Sequence, residues 1–165
     1  MFALKCLPST NTDDVIISGD HDISLQAIGR QIELPRAALS KPTPGRILSN
    51  ADASVAGWKH LMDGRAGTVL GRMGASCMFA RCSPANKATV IETLQQSSGA
   101  VVAYVGTASQ DGPAFAAADV SIAMPGAADT TKSEADLLLL SQDLRCLAAT
   151  VRASAAAVDG LVGGD

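Results

Sequence analysis

The chain has 165 residues, of which 47% are hydrophobic and 18% charged, and its formal net charge is −3. This length is typical of a single domain, and the composition is that of a globular rather than a disordered protein. Aromatic residues make up only 3% of the chain, so Ala, Val, Leu and Ile must build the core. The acidic balance and the scattered basic residues argue against a nucleic-acid-binding protein or a protein of anionic membrane surfaces.

The cysteines and the apolar segments indicate a protein of the cytoplasm. Four residues separate Cys77 from Cys82 and no histidine is close by, which is poor spacing for a zinc site. We therefore interpret the cysteines as separate thiols in a reducing compartment. The first seven residues are too few and too weakly apolar for a signal peptide. No apolar run approaches the roughly 20 residues of a membrane helix, so we expect no membrane span.

Short apolar segments alternate with helical patterns along the whole chain. Ser83 and Pro84 form a typical helix start, with Ser as the N-cap and Pro in the first turn. The order of elements predicts a doubly wound, parallel α/β sheet with helices on both faces. We predict strands at 15–17, 47–48, 78–80, 101–105, 120–123 and 137–140, helices at 24–32, 52–62, 83 onward, 114–118 and 144–158, and a Gly-rich loop at 63–74.

Polar segments follow three of the predicted strands, at the sheet edge where open α/β folds bind ligands. The first is Ser18-Gly19-Asp20, whose hydroxyl and backbone N–H groups suit a phosphate oxygen, although these residues are also ordinary in turns. The second has Lys87 in the first turn of a helix, where a cation opposes the helix dipole unless it faces a bound anion. A solvated lysine is an equally good interpretation. The third has Asp111 in a Gly-rich turn, where aspartate is commonly a cap.

In this order, the segments resemble the signature motifs of P-type cation-transporting ATPases. Ser18-Gly19-Asp20 is similar to the Thr-Gly-Asp motif of that family, and FARCSPANK at 79–87 is similar to ARVSPxxK. VGTASQDGP at 105–113 aligns with the hinge motif TGDGVNDAP. AFAAADVSIAM at 114–124 and ADTTKSEAD at 128–136 resemble ALKxADVGIAM and GTDVAKEAAD. The resemblance covers residues 15–151, and its specificity comes from the combination of motifs in this order.

The resemblance implies a haloacid-dehalogenase-like, Rossmann-type fold. In this family an aspartate of a DKTGT motif attacks the γ-phosphate of ATP with the help of Mg²⁺. By position, Ser18, Gly19 and Asp20 would contact the phosphate, and Lys87 would neutralise its charge. ATP and Mg²⁺ are therefore the ligands that the resemblance implies.

The third motif would supply the metal ligand and the hinge. By resemblance, Asp111 would help to organise magnesium, and Gly106, Gln110 and Pro113 would belong to the hinge. The sequence departs from the family here, because Thr107 stands in place of a magnesium-binding aspartate, and a hydroxyl is a poorer ligand for this ion. DKTGT does not occur in the sequence, so the nucleophile and the central strand that carries it are both expected to be missing.

These departures predict a degenerate or truncated phosphorylation domain that does not hydrolyse ATP alone but retains weak phosphate or nucleotide binding. One alternative is a regulatory module that binds a partner protein or a second copy through the sheet edge left by the missing strand. Another is a divergent phosphatase or ATPase completed by a second chain. We divide the chain into a lead-in at 1–14, the phosphorylation-domain-like region at 15–151, and a tail at 152–165, where a membrane helix follows in the family.

Overall fold

The structure is a computed structural model and describes residues 2–6, 12–31, 47–49, 77–99 and 101–143. The predicted helices at 52–62 and 144–158 and the predicted loop at 63–74 lie outside these ranges. The described strands are β1 (Phe2–Cys6), β2 (Thr12–Ile17), β3 (Ile47–Ser49), β4 (Cys77–Ala80), β5 (Val101–Gly106), β6 (Val120–Ala123) and β7 (Leu137–Leu138). The described helices are α1 (Asp22–Gln31), α2 (Pro84–Ser98), α3 (Gly112–Ala117) and α4 (Asp129–Glu134), with a 3₁₀ turn at Ser109–Asp111. None of these helices is long and apolar enough to cross a membrane.

The strands form one sheet in the order β3-β4-β2-β1-β5-β6-β7. β2, β3 and β4 pair in parallel on one side of β1, and β5, β6 and β7 do so on the other side. Helices connect several of these strands, which confirms the predicted α/β class. β1 is the exception, because it runs antiparallel to both β2 and β5.

β1 fills the central position of the sheet, which the sequence predicted to be vacant. Phe2 pairs with Ile16 of β2 and with Val105 of β5. The expectation of an open sheet edge at this position was therefore wrong, because part of the predicted lead-in at 1–14 pairs with both neighbouring strands. β2 likewise begins at Thr12, inside that lead-in. The outer strands of the sheet are β3 and β7.

α2 begins at the predicted Ser83 cap and ends at Gly99, and local backbone chemistry determines both ends. The Ser83 hydroxyl accepts a hydrogen bond from the Asn86 N–H at 3.2 Å, and the Ser83 N–H donates to Asn86 Oδ1 at 3.1 Å. This reciprocal pair satisfies two backbone donors at the helix start. Gly99 ends the helix in the left-handed conformation, with φ of 60°, which favours glycine. The predicted inner face is buried, namely Val90, Ile91 and Leu94.

The core lies on both sides of β5. Val102 and Tyr104 belong to a large cluster on one face, while Ala103 and Val105 belong to a smaller cluster on the other face. Burial on both faces is typical of a parallel sheet in an α/β protein. The larger cluster also contains residues of β2, β4, α2 and α3, among them Val15, Ile17, Phe79, Val90, Ile91, Leu94, Ala114 and Phe115.

Candidate functional site

The carboxyl ends of β2, β4 and β5 reach the same edge of the sheet, which we call the site edge. β2 and β4 are parallel, and β2 and β5 run in the same direction because both are antiparallel to β1. Ser18 follows β2, Arg81 follows β4 and Thr107 follows β5. The topology therefore gathers all three predicted polar segments at one edge.

The turn after β2 is held by the side chain of Ser18. Its hydroxyl donates to Asp20 Oδ2 at 2.8 Å and accepts from the Asp20 N–H at 3.1 Å. Ser18 is buried, whereas Gly19 and Asp20 are exposed. The hydroxyl that the sequence assigned to phosphate binding thus faces a carboxylate of its own turn.

The turn after β4 is tied to the turn after β2. The Cys82 N–H donates to the Ser18 carbonyl at 2.9 Å, and the Arg81 N–H donates to the Asp20 carbonyl at 2.9 Å. Arg81 has a left-handed backbone with φ of 55°, and its guanidinium contacts His21 Nδ1. The predicted phosphate-binding turn therefore makes hydrogen bonds within itself, to Phe79 of β4 and to the turn after β4.

Lys87 points into the protein and pairs with Asp111. Its Nζ lies 2.8 Å from Asp111 Oδ1, and the two side chains are 2% and 0% exposed. The two residues that the sequence assigned to phosphate and to magnesium are therefore in contact with each other. This pairing explains how a lysine is tolerated in the first turn of α2, because a carboxylate neutralises it in the interior.

Both oxygens of Asp111 accept further hydrogen bonds. The Tyr104 hydroxyl donates to Oδ1 at 3.2 Å, and the N–H groups of Thr107 and Ala108 donate to Oδ2 at 3.2 and 3.1 Å. We call this arrangement the Asp111 cluster: the Asp111 carboxylate, the Lys87 ammonium, the Tyr104 hydroxyl and the N–H groups of Thr107 and Ala108. It joins α2, β5 and the loop that follows β5.

The environment of the cluster shifts the pKa of two neighbouring groups. Burial, followed by the charge of Asp111 and the hydrogen bond to it, raises the pKa of Tyr104 well above its ordinary value of 10.0. Burial raises the pKa of the Cys82 thiol to about 12, and the Lys87 ammonium partly opposes this shift. Both groups are therefore neutral at physiological pH, and neither is a poised nucleophile.

The predicted hinge residues differ in their surroundings. Gly106 is buried and closely packed, whereas Gln110 is exposed in the 3₁₀ turn and Pro113 is exposed at the start of α3. Thr107 is exposed too, so its side chain lies outside the buried cluster although its N–H belongs to it.

The residues present do not fit a magnesium ion at Asp111. Magnesium needs carboxylate oxygens with free lone pairs, and both oxygens of Asp111 accept hydrogen bonds from protein donors. The ammonium of Lys87 already supplies the positive charge beside Oδ1. Elsewhere in the part of the chain that the structure describes, no group of three or more His, Cys, Asp or Glu residues could hold a metal ion.

The chain is similar in sequence to cation-transporting ATPases. It is 32% identical over 145 residues to the "Probable cation-transporting ATPase I" of Mycobacterium tuberculosis (strain CDC 1551 / Oshkosh), which covers 87% of this chain and 8% of that protein. It is 27% identical over 146 residues to the "Magnesium-transporting ATPase, P-type 1" of Salmonella typhimurium (strain 14028s / SGSC 2262), which covers 88% of this chain and 14% of that protein. No protein-family model matches the chain.

The fold is similar to that of a solved ATPase domain. The catalytic domain of the CPx-ATPase CopB-B superposes with a TM-score of 0.51 at 23% identity, over 81% of this chain and 36% of that domain. The chain is homologous to part of a P-type cation-transporting ATPase. Over the superposed residues its fold is similar to that of this CopB-B domain, which agrees with the predicted α/β class. The chain spans only 8 to 14% of the length of these two relatives.

Sequence reasoning missed Tyr104 as a site residue. It is the only tyrosine in the chain and lies in the predicted strand at 101–105. A buried phenol needs a hydrogen-bond partner, and Asp111 is the first carboxylate after the end of that strand in the sequence. This pattern of residues is a signal that could have connected Tyr104 with Asp111.

Proposed function

We propose that this chain is a phosphorylation-domain homologue of a cation-transporting P-type ATPase that does not form a phosphoenzyme by itself. The observation that carries this proposal is the direction of β1. Its pairing of Phe2 with Ile16 and Val105 brings the amino end of the central strand to the site edge. The β1 sequence, FALKC, contains no carboxylate. Covalent phosphoryl transfer by this family needs an aspartate at the carboxyl end of the strand in this position.

Two other aspartates close to the central strands are poorly placed to replace the nucleophile. Asp13 and Asp14 belong to the amino half of β2, and Asp13 pairs with Lys5 of β1. This pairing puts them away from the site edge, which β2 reaches at Ile17. A phosphatase or ATPase completed by a second chain is therefore the weaker proposal.

The test is acid-quenched labelling of the full chain with radiolabelled ATP or acetyl phosphate in the presence of magnesium. We expect no protein-bound phosphate. A hydroxylamine-sensitive label would indicate an acyl phosphate and would overturn the proposal. The double variant Asp13→Asn/Asp14→Asn is the matched control, since a label that disappears in it would identify the replacement nucleophile.

We further propose that any phosphate or nucleotide affinity comes from the exposed turn after β2 and not from Lys87. The burial of Lys87 against Asp111 supports this, because an ammonium in a buried pair is not available to a ligand. Calorimetric titration with a nucleotide analogue tests it. Ser18→Ala is expected to weaken binding because it releases the turn that the Ser18 hydroxyl holds, whereas Lys132→Ala is expected not to. Loss of binding in a folded Lys87→Ala variant would show that the lysine contacts phosphate. As part of a pump, the chain would lie on the cytoplasmic side.

Binding to a second copy of the chain is an alternative function that one observation favours. Leu137, Leu138 and Leu140 are 51%, 53% and 97% exposed, and β7 is an outer strand. An apolar outer strand can pair with another chain. Light scattering of the wild-type chain and of Leu138→Lys tests this, with a dimer expected only in the wild type. A wild-type monomer at all concentrations would exclude it.

A further inference from the structure

We propose that the Asp111 cluster works without metal and fixes α2 to the loop after β5, with Lys87 and Tyr104 together in place of a magnesium ion. The contacts of the Asp111 cluster do not involve β1 or the missing nucleophile. The two proposals therefore fail separately, because phosphoenzyme formation would contradict the proposed function alone and metal binding at Asp111 would contradict this one.

Protein donors already fill the positions around the Asp111 carboxylate. A carboxylate offers about four lone-pair positions. Asp111 accepts four hydrogen bonds from the described residues, from Lys87 Nζ, the Tyr104 hydroxyl and the N–H groups of Thr107 and Ala108. A metal ion at Asp111 must therefore displace at least one of these protein donors and break its hydrogen bond to a buried carboxylate, which costs free energy.

The charge of Lys87 also opposes a metal ion at this position. Lys87 and Asp111 are 2% and 0% exposed, so water screens neither of them effectively. A divalent cation that joined them would lie close to the ammonium in this low-dielectric environment, and the repulsion would be strong. The ion pair thus opposes binding, at Asp111, of the cation that the family resemblance implies.

The cluster connects elements that are distant in the sequence. Lys87 lies in the first turn of α2, Tyr104 lies in β5, and Asp111 lies in the turn that leads into α3. The pair joins residues 24 positions apart in the sequence. The loop after β5 is consequently held in place in the absence of any ligand.

The first experiment measures metal binding with Mn²⁺ alone, followed by its electron paramagnetic resonance signal. The compared proteins are the full-length wild type, Thr107→Asp, and Thr107→Asp combined with Lys87→Met or with Tyr104→Phe. We expect no binding by the wild type or by Thr107→Asp, because the cluster still occupies Asp111. We expect Thr107→Asp/Lys87→Met to bind Mn²⁺. We expect Thr107→Asp/Tyr104→Phe to bind it more weakly than that variant does.

Two results would overturn the proposal. One is Mn²⁺ binding by the wild type or by Thr107→Asp that is lost when Asp111→Asn is added. The other is no gain of binding in a folded Lys87→Met/Thr107→Asp variant, because Lys87 would then not be what excludes the metal.

The second experiment keeps the proposal testable if a Lys87 variant folds poorly. Lys87→Met and Asp111→Asn should each lower the melting temperature by roughly 10 °C, and the double variant should lose clearly less than their sum. Lys132→Met is the matched control, because it breaks the exposed pair with Asp129 at 3.6 Å and should change little. Additive losses, or a wild-type melting temperature that falls on addition of a chelator, would contradict a metal-free cluster.

Discussion

Gly106 lies directly against the ring of Phe115. A Cβ atom at position 106 would be 2.6 Å from Phe115 Cε1 and 3.0 Å from Asp111 Oδ2. Phe115 cannot easily move away, because it is 5% exposed and packs edge-to-face on Tyr104 with ring centroids 5.9 Å apart. The glycine of the predicted hinge is therefore required by close packing beside the Asp111 cluster.

From this contact we predict that Gly106→Ala lowers the free energy of unfolding by about 2 kcal/mol, since overpacking in a filled core typically costs this much. Urea denaturation measures the change. Gly126→Ala is the control, because no atom lies within 4 Å of a Cβ built there. Equal stability of Gly106→Ala and wild type would mean that the Phe115 ring is free to shift.

A second prediction concerns the hydroxyl of Thr131 in α4. Thr131 is 1% exposed, and its Oγ1 has no hydrogen-bond partner in the described part of the chain. An unsatisfied buried hydroxyl destabilises a protein by about 1 to 3 kcal/mol, so Thr131→Val should stabilise the chain by about 1 kcal/mol. Thermal unfolding checks this, with the exposed Thr130→Val as the control. A clear loss of stability in Thr131→Val would show that the hydroxyl is satisfied after all.

Local chemistry made α2 predictable from the sequence. The Ser83 cap and the inner residues Val90, Ile91 and Leu94 depend only on neighbours within a few positions. The strands β3, β4, β5 and β6 were predictable for a similar reason, because short apolar runs bounded by turn residues are a local signal. β1 was missed, because a five-residue segment gains its structure from non-local pairing with β2 and β5.

The position of the site at the sheet edge was predictable from the sequence, but the direction in which the Lys87 side chain points was not. The sequence indicated that Lys87 and Asp111 would lie at one sheet edge, and the topology agrees. The sequence assigned Lys87 to phosphate and Asp111 to magnesium. It did not predict their contact, because the rotation of α2 that turns Lys87 inward depends on tertiary packing. Thr107 and the missing DKTGT motif are departures from the family that can be identified in the sequence, and they led to the prediction that the chain does not hydrolyse ATP alone.

A third prediction concerns stability at alkaline pH. The pKa of Cys82 is raised from 9.0 to about 12 in the folded chain. As the pH rises, the unfolded chain therefore loses the Cys82 proton before the folded chain does. The contribution of the protonated thiol to the free energy of unfolding is complete below pH 9.0 and is lost as the pH rises towards about 12. Unfolding free energies measured across this interval should fall less steeply in Cys82→Ala. Tyr104, whose pKa is also raised, should contribute in the same direction above pH 10.0, so Tyr104→Phe should remove a further part of the slope.

The same thiol should resist alkylation near neutral pH. Cys82 is buried, and its raised pKa leaves almost none of it as thiolate. Iodoacetamide followed by peptide mass mapping should leave Cys82 unmodified in the folded chain and modified in denaturant. Rapid labelling of Cys82 in the folded chain would contradict the burial that raises its pKa.

The last prediction concerns acid stability and the start of β6. Asp136 Oδ2 accepts hydrogen bonds from the Ser121 N–H at 2.8 Å and from the Ser121 hydroxyl at 2.7 Å. These bonds, led by the one from the backbone N–H, hold the pKa of Asp136 below its ordinary value of 3.8.

Because the folded chain binds this proton less readily than the unfolded chain, the stabilisation is present above pH 3.8 and is lost as the pH falls below it. We expect Asp136→Asn to lower the free energy of unfolding at neutral pH. We also expect this free energy to fall less steeply in the variant than in the wild type as the pH decreases. Equilibrium unfolding at neutral pH and below pH 3.8 measures both effects. Asp129→Asn is the matched control, because that carboxylate is fully exposed and its pair with Lys132 is a surface contact at 3.6 Å. If Asp136→Asn and Asp129→Asn have the same acid profile, the bonds to Ser121 do not stabilise the charged carboxylate, and the link between Asp136 and the start of β6 contributes nothing in solution.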